Sequence, residues 1–204
     1  TFYLMNFGLI VVILKNKNKD KWFYMNFMIM GMVTAYFDFL TTEILTLLVP
    51  LSVLLYLRHI ELDNYDDKKV FKFSITCILF WALGYAGMWA SKWILASIFL
   101  PDNVFQDIFS SIKYRTLGFT NVGATRIDTI LRNVRMMIPF NYFKSVYLIG
   151  LILVGYGIFY YWFRYRKKNY LSICYLIIAW APIIRFLVLN NHSYIHAYFT
   201  FREL

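Results

Sequence analysis

Long apolar stretches separated by short runs of lysine and arginine dominate this chain of 204 residues. A helix that crosses about 30 Å of hydrocarbon needs about 20 apolar residues, at about 1.5 Å of rise per residue. Lipid-facing backbone must be satisfied within helices or a closed barrel, and these runs are too long and too apolar for barrel alternation. The pattern therefore predicts an all-α, polytopic transmembrane bundle in a single transmembrane domain. Composition agrees: 60% of residues are hydrophobic, 16% are charged and the mean hydropathy is +0.55. Globular domains carry roughly 45–50% apolar and about 25% charged residues. An ordinary cytosolic domain, a disordered chain and a disulfide-stapled module are thereby excluded.

The apolar stretches fall at 1–14, 22–37, 41–57 (interrupted by Pro50), 72–91 with an extension toward Leu100, 143–163 and 170–189. The first is too short to span alone and reads as the tail of a span that begins earlier, so the chain is expected to be a fragment of a longer protein. Cys77 and Cys174 both lie within apolar stretches, where they act as small hydrophobes. No internal repeat and no low-complexity linker divides the chain.

The charge of +10 does not indicate nucleic acid, because the basic residues sit in short runs between the spans rather than along an aromatic groove. The segments 15–21, 58–72 and 164–169 hold twelve of the 21 lysines and arginines. They alternate with the remaining connections, so the positive-inside rule makes these three loops cytoplasmic. The turn at Asp38, the long segment 100–142 and the cluster from Asn190 then face outward. Within the outer segment 101–139, Val104, Phe105, Ile108, Phe109 and Ile112 recur at helical spacing, and Asp102 is placed to cap them. A second helix follows, with Ile127, Ile130, Leu131, Val134, Met137 and Ile138 on one face. Arg126, Asp128, Thr129, Arg132, Asn133 and Arg135 fill the other, and Pro139 ends it. Such a helix either lies in the membrane interface or packs on the protein's own outer rim.

Three constellations could carry chemistry. The stretch Tyr36 to Glu43 reverses the chain at the outer membrane edge, where Asp38 and Glu43 are ionisable groups among apolar neighbours; a carboxylate there would bind a divalent metal or a sugar hydroxyl, or Asp38 or Thr41 would cap the next helix. Lys92, between Trp89 and Trp93, fits either a lipid-phosphate contact or an interfacial anchor whose amine snorkels to the head groups. The densest group holds Arg185, Asn190, Asn191, His192, Ser193, His196, Thr200 and Arg202. If helix continues there, His192 and His196 share a face at i and i+4, as two metal ligands or a proton-transfer pair would. A solvated helix end is the plainer reading. Arg185 lies inside a span and must meet an anion, a carbonyl or water. No HExxH, Walker, GxSxG or CxxC pattern occurs.

The segments FDFLTTEILTLLVPL (37–51), GYAGMWASKW (84–93) and NNHSYIHAYFTFR (190–202) resemble stretches of multi-pass proteins from bacterial surface-polysaccharide loci. That group is similar to the GT-C glycosyltransferases, which take sugars from polyprenyl-phosphate carriers on the outer membrane face. The resemblance implies a polyprenyl-phosphate sugar donor, membrane lipid as surroundings, and a divalent metal as the one cofactor to consider. It also implies an essential acidic residue in the first outer loop, which on this reading would precede Thr1. In that scheme Asp38, His192 and His196 would be catalytic. Lys92, Trp89, Trp93, Arg185, Asn191 and Arg202 would bind donor phosphate and sugar, and the 126–138 helix would shape the cavity where the lipid tail enters. A base for the acceptor hydroxyl and cations for the leaving phosphate are what sugar transfer requires. Three other readings stay open: a membrane-bound acyltransferase using NNHSYIH, a polysaccharide polymerase or flippase lined by Arg126, Arg132 and Arg135, and a non-enzymatic membrane protein.

Overall fold

The computed structural model describes residues 2–15, 20–37, 43–61, 67–100, 104–117, 125–136, 155–156, 159–160 and 170–200. Every element among them is helical, without a strand. Helices α1 (Phe2–Lys15), α2 (Asp20–Tyr36), α3 (Leu45–Glu61) and α4 (Asp67–Phe99) come first. Next are α5 (Val104–Thr116) and α6 (Arg126–Met136), both in the segment expected to be amphipathic. Then α7 (Tyr170–Val188) bends at Leu189 into α8 (Asn190–Ile195) and α9 (Ala197–Thr200).

Two helices, Lys68–Phe99 and Tyr170–Val188, are long and apolar enough to cross a membrane. At 14, 17 and 17 residues, α1, α2 and α3 are shorter than the roughly 20 residues of a full crossing. Most of the stretch 143–163 lies outside the described residues, as does Asp102. The fourth helix takes the extension toward Leu100: it runs unbroken from Asp67 to Phe99, 33 residues in all. No charged side chain stands between Lys72 and Lys92, a rise of about 30 Å, so the two amines bracket one hydrocarbon thickness.

The tightest packing joins α2 to α4. A Cβ on Gly31 would lie 2.1 Å from the Trp81 carbonyl oxygen, and one on Gly84 would lie 2.0 Å from that of Met28. The two backbones therefore touch at this crossing, which only glycine allows, and close approach is how helices in lipid gain dispersion contacts. Around it Phe23, Phe27, Leu51, Leu54, Leu55, Phe73 and Cys77 form the core, joined by Leu171 and Cys174 of α7. Both cysteines are buried and unbridged. Outside this core Met25, Ile29, Leu79, Leu83, Leu176, Trp180 and Ile184 stay exposed, more apolar surface than a water-facing chain leaves uncovered.

The helix ends sort into two groups. Asp20 pairs with Arg58, and the Phe71 and Tyr170 rings approach to 6.0 Å. The starts of α2, α4 and α7 and the end of α3 thus gather at one end, beside the basic runs. At the other, Lys92 reaches the last turn of α2, Glu43 meets Arg185, and Thr129 meets Asn190. The described members of the polar constellations share that second end.

Candidate functional site

The site grows from one face of α4. Trp81, Tyr85 and Trp89 follow at i, i+4 and i+8, so helical geometry stacks them in a row. The Trp81 and Tyr85 rings lie nearly parallel with centroids 5.3 Å apart. Trp81 is fixed further: its Nε1–H donates to Thr46 Oγ1 at 3.0 Å. The same oxygen accepts from Thr34 Oγ1 at 2.9 Å and donates to the Glu43 carbonyl at 2.7 Å. That hydroxyl therefore ties α2, α3 and α4 together beneath Glu43.

Beside this row lies a cavity of about 330 Å³ lined by Glu43, Ile44, Trp81, Tyr85, Trp89, Ile112, Arg115, Thr116 and Leu189. Its wall is almost wholly apolar, and Glu43 and Arg115 are the charged residues along it. The size falls within the range of small-ligand sites, which are apolar with a few placed polar groups.

The carboxylate is held from behind. Arg185 Nε donates to Glu43 Oε1 at 2.6 Å and Nη2 to Oε2 at 3.0 Å, while Nη1 donates to Ser193 Oγ at 3.1 Å. Only 5% of the Arg185 side chain and 8% of the Glu43 side chain remain exposed. This two-pronged geometry suits a desolvated pair, because the planar fork satisfies both carboxylate oxygens. The anion that Arg185 required inside its span is thus Glu43.

A second hydrogen-bonded layer carries the network into the C-terminal helices. Thr129 Oγ1 donates to Asn190 Oδ1 at 2.6 Å, and Asn133 Nδ2 to the Ser193 carbonyl at 3.1 Å. Thr200 Oγ1 donates to Asn133 Oδ1 at 2.5 Å, and Asn191 Nδ2 to the Tyr114 carbonyl at 2.8 Å. Thr129 and Asn133 are fully buried, whereas Ile127 is 68% exposed and Leu131 is exposed as well. The helix thus inserts its polar stripe into the protein and turns its apolar stripe outward, because the partners on α8 and α9 are carbonyls, amides and hydroxyls.

The start of α6 is closed by Thr125 and Asp128. The Thr125 N–H and Oγ1–H both donate to Asp128 Oδ2, at 3.0 and 2.7 Å, and the Asp128 N–H donates to Thr125 Oγ1 at 3.1 Å. This is a reciprocal capping box. Its hydrogen bonds from Thr125 hold the Asp128 carboxyl below the usual carboxylate range.

The residues expected at the site divide as follows. The N–H of His196 bonds to the His192 carbonyl at 3.0 Å across the end of α8, so the helical turn persists, and the two imidazole centroids lie 4.6 Å apart. Among the described residues no group of three or more His, Cys, Asp or Glu side chains is placed to hold a metal ion. Trp89 lines the cavity, and Trp93 stands edge-on to it at 5.8 Å. The amine of Lys92 donates to the carbonyls of Ala35 at 2.6 Å and Tyr36 at 2.9 Å. It therefore closes the C-terminal turn of α2, where a cation also complements the helix dipole. Asp38 and Arg202 lie outside the described residues. Glu43, noted from the sequence together with Asp38 as an acidic group at the membrane edge, lines the cavity, and so do Arg115, Trp81 and Tyr85, which sequence reasoning did not select. The aromatic row was visible as an i, i+4, i+8 pattern, and the capping box as Thr-x-x-Asp, whereas nothing local marked Arg115.

Comparison of the chain with family models, with curated proteins and with solved structures finds no match in any of the three.

Proposed function

We propose that the protein is a multi-pass enzyme of a bacterial plasma membrane that transfers a sugar from a polyprenyl-phosphate carrier on the extracytoplasmic face during surface-polysaccharide assembly. The observation that carries this reading is the cavity, which sets an aromatic wall of Trp81, Tyr85 and Trp89 beside the residues Arg115 and Glu43. It lies at the end of the bundle away from the basic runs. Apolar and aromatic walls suit an isoprenoid chain or a sugar ring, and a guanidinium suits phosphate. In this reading Arg115 meets the carrier phosphate, Trp89 packs against the carrier, and Arg185 holds Glu43 in position. His192 and His196 stand at the same end as candidate proton-transfer groups for the acceptor hydroxyl, and Asp38 and Arg202 retain the roles the resemblance implies.

The test is binding of a polyprenyl-phosphate sugar to the full-length protein in lipid nanodiscs, with and without divalent metal. Arg115→Ala should weaken binding about tenfold or more, the scale of a lost charge-assisted contact, while membrane insertion is unchanged. Equal binding by wild type and variant would overturn the assignment. The pairing of His192 with His196 at 4.6 Å, next to Asn191, favours a second reading, a membrane-bound acyltransferase. That enzyme would consume a thioester donor and leave the polyprenyl-phosphate sugar unbound.

A further inference from the structure

Helices α5 and α6 repeat one arrangement. At 100° per residue, Phe105, Phe109 and Ile112 share an arc of α5, with Arg115 at one edge and Lys113 at the other. On α6, Ile127, Ile130, Leu131 and Val134 share an arc between Arg126 and Arg135. Phe105, Phe109, Ile127 and Leu131 are all exposed, the second by 71%. The opposite side of α6 is committed to the protein through Thr129 and Asn133, and α5 is tied to α8 by the bond from Asn191 to Tyr114. An apolar stripe that faces away from the protein, with a basic residue on each flank, matches a helix half-sunk in a bilayer surface. The charge balance favours anionic lipid: the two helices carry Lys113, Arg115, Arg126, Arg132 and Arg135 against Asp107 and Asp128.

We propose that α5 and α6 form a docking surface for the anionic outer layer of a phospholipid bilayer. Phe105, Phe109, Ile127 and Leu131 enter the acyl region, and Lys113, Arg126 and Arg135 meet lipid phosphates. Two features extend the argument. The exposed perimeter of α7 reaches Ile184 and Val188, just before the chain turns into α8, the helix to which both α5 and α6 are bonded. Ile112 belongs both to the α5 stripe and to the cavity wall, so lipid held there has a direct route to the cavity. Docking would also press α6 onto α8 and α9 and keep the Asn133–Ser193–Arg185–Glu43 chain assembled. The surface stands independently of the sugar-transfer reading.

The test is spin labelling of the full-length protein in nanodiscs of phosphatidylglycerol and of phosphatidylcholine. Single cysteines replace Phe109, Ile127 and Leu131, with Ser110→Cys, on the other side of α5, as reference; Cys77 and Cys174 are buried and label poorly. In phosphatidylglycerol the three labels should collide with oxygen in preference to a water-soluble nickel chelate, and the Ser110 label should show the reverse. Combining Lys113→Gln, Arg126→Gln and Arg135→Gln should lower the docked-to-undocked ratio by about fivefold per charge removed in phosphatidylglycerol, with far less change in phosphatidylcholine. Chelate access at Ile127 and Leu131 equal to that at Ser110 would overturn the proposal. So would dipolar coupling between labels on two copies, which would make the stripe a protein–protein contact instead.

Discussion

The two ends of the bundle each contain an ion pair, and the pairs are built differently. At the basic end Arg58 binds Asp20, its guanidinium lies 3.8 Å from the centre of the Phe73 ring, and Asp20 remains 49% exposed. Water screens one partner, and the cation is partly satisfied by an aromatic face. At the polar end Arg185 and Glu43 are both sealed, and the guanidinium reaches a third group, Ser193. The first pair is a clip between α2 and α3. The second links α7 and α8 to the turn before α3, and Glu43 is also one of the residues along the cavity. Burying two charges is costly and seldom improves stability over apolar packing, so the pair at the polar end holds at a far higher desolvation cost than the clip at the basic end.

The comparison breaks if the pairs respond alike to mutation. Glu43→Ala strands a buried guanidinium and should destabilise the fold by about 3–5 kcal/mol. Asp20→Ala should cost about 1 kcal/mol or less, as an exposed partner does. Thermal unfolding of both variants in one detergent measures the difference. The double variant E43L/R185M, which removes both charges, should recover most of the loss, because the penalty belongs to the unpaired charge. Equal losses from Glu43→Ala and Asp20→Ala would place the two ends in one class.

Gly84 probes the comparison from the middle. A Cβ there meets the Met28 carbonyl oxygen at 2.0 Å, so Gly84→Ala must push α2 away from α4 along their shared length. A cost of about 1–3 kcal/mol is expected, the usual scale for overpacking. Both ends should feel it, since Asp20 and the Lys92-bound carbonyls of Ala35 and Tyr36 ride on α2. Hydrogen exchange that changes at one end alone would show that α2 does not move as a rod.

These relations were unevenly legible in the sequence. Helix class and most boundaries follow from apolar runs between charges, and α7 begins and ends within a residue of the predicted 170–189 stretch. The continuation of α4 beyond Trp93 was written in Ile94, Leu95, Ile98 and Phe99, although the tryptophans and Lys92 resembled a membrane boundary. The partner of Arg185 was out of reach, because Glu43 lies 142 positions away and periodicity within a segment carries no information about such contacts. For the same reason Lys92 read as an anchor or a phosphate contact, while the α2 carbonyls it binds are set by the Gly31–Gly84 crossing. Face assignment on α6 was legible, but which face the protein takes was not. Hydrophobicity alone favours burying Ile127 and Leu131, and the outcome depended on Asn190, Ser193 and Thr200 offering hydrogen bonds to Thr129 and Asn133.

The capping box of α6 sharpens the comparison by pH. Asp128 belongs to neither ion pair, so a pH response confined to α6 would separate its anchoring from theirs. Hydrogen bonds from the Thr125 hydroxyl and N–H depress the Asp128 carboxyl below its ordinary value of 3.8. A depressed carboxyl binds protons more weakly in the folded state, so its contribution is complete above the ordinary value. It is lost as pH falls through the lower folded value. Amide exchange at the first turn of α6 should therefore accelerate only in that acidic window, and Asp128→Asn should remove the dependence while leaving the remainder of the chain unchanged. Because Asp128 is fully exposed, the effect is the smallest of the three. Acceleration that begins near neutral pH would show that the capping box does not set the response.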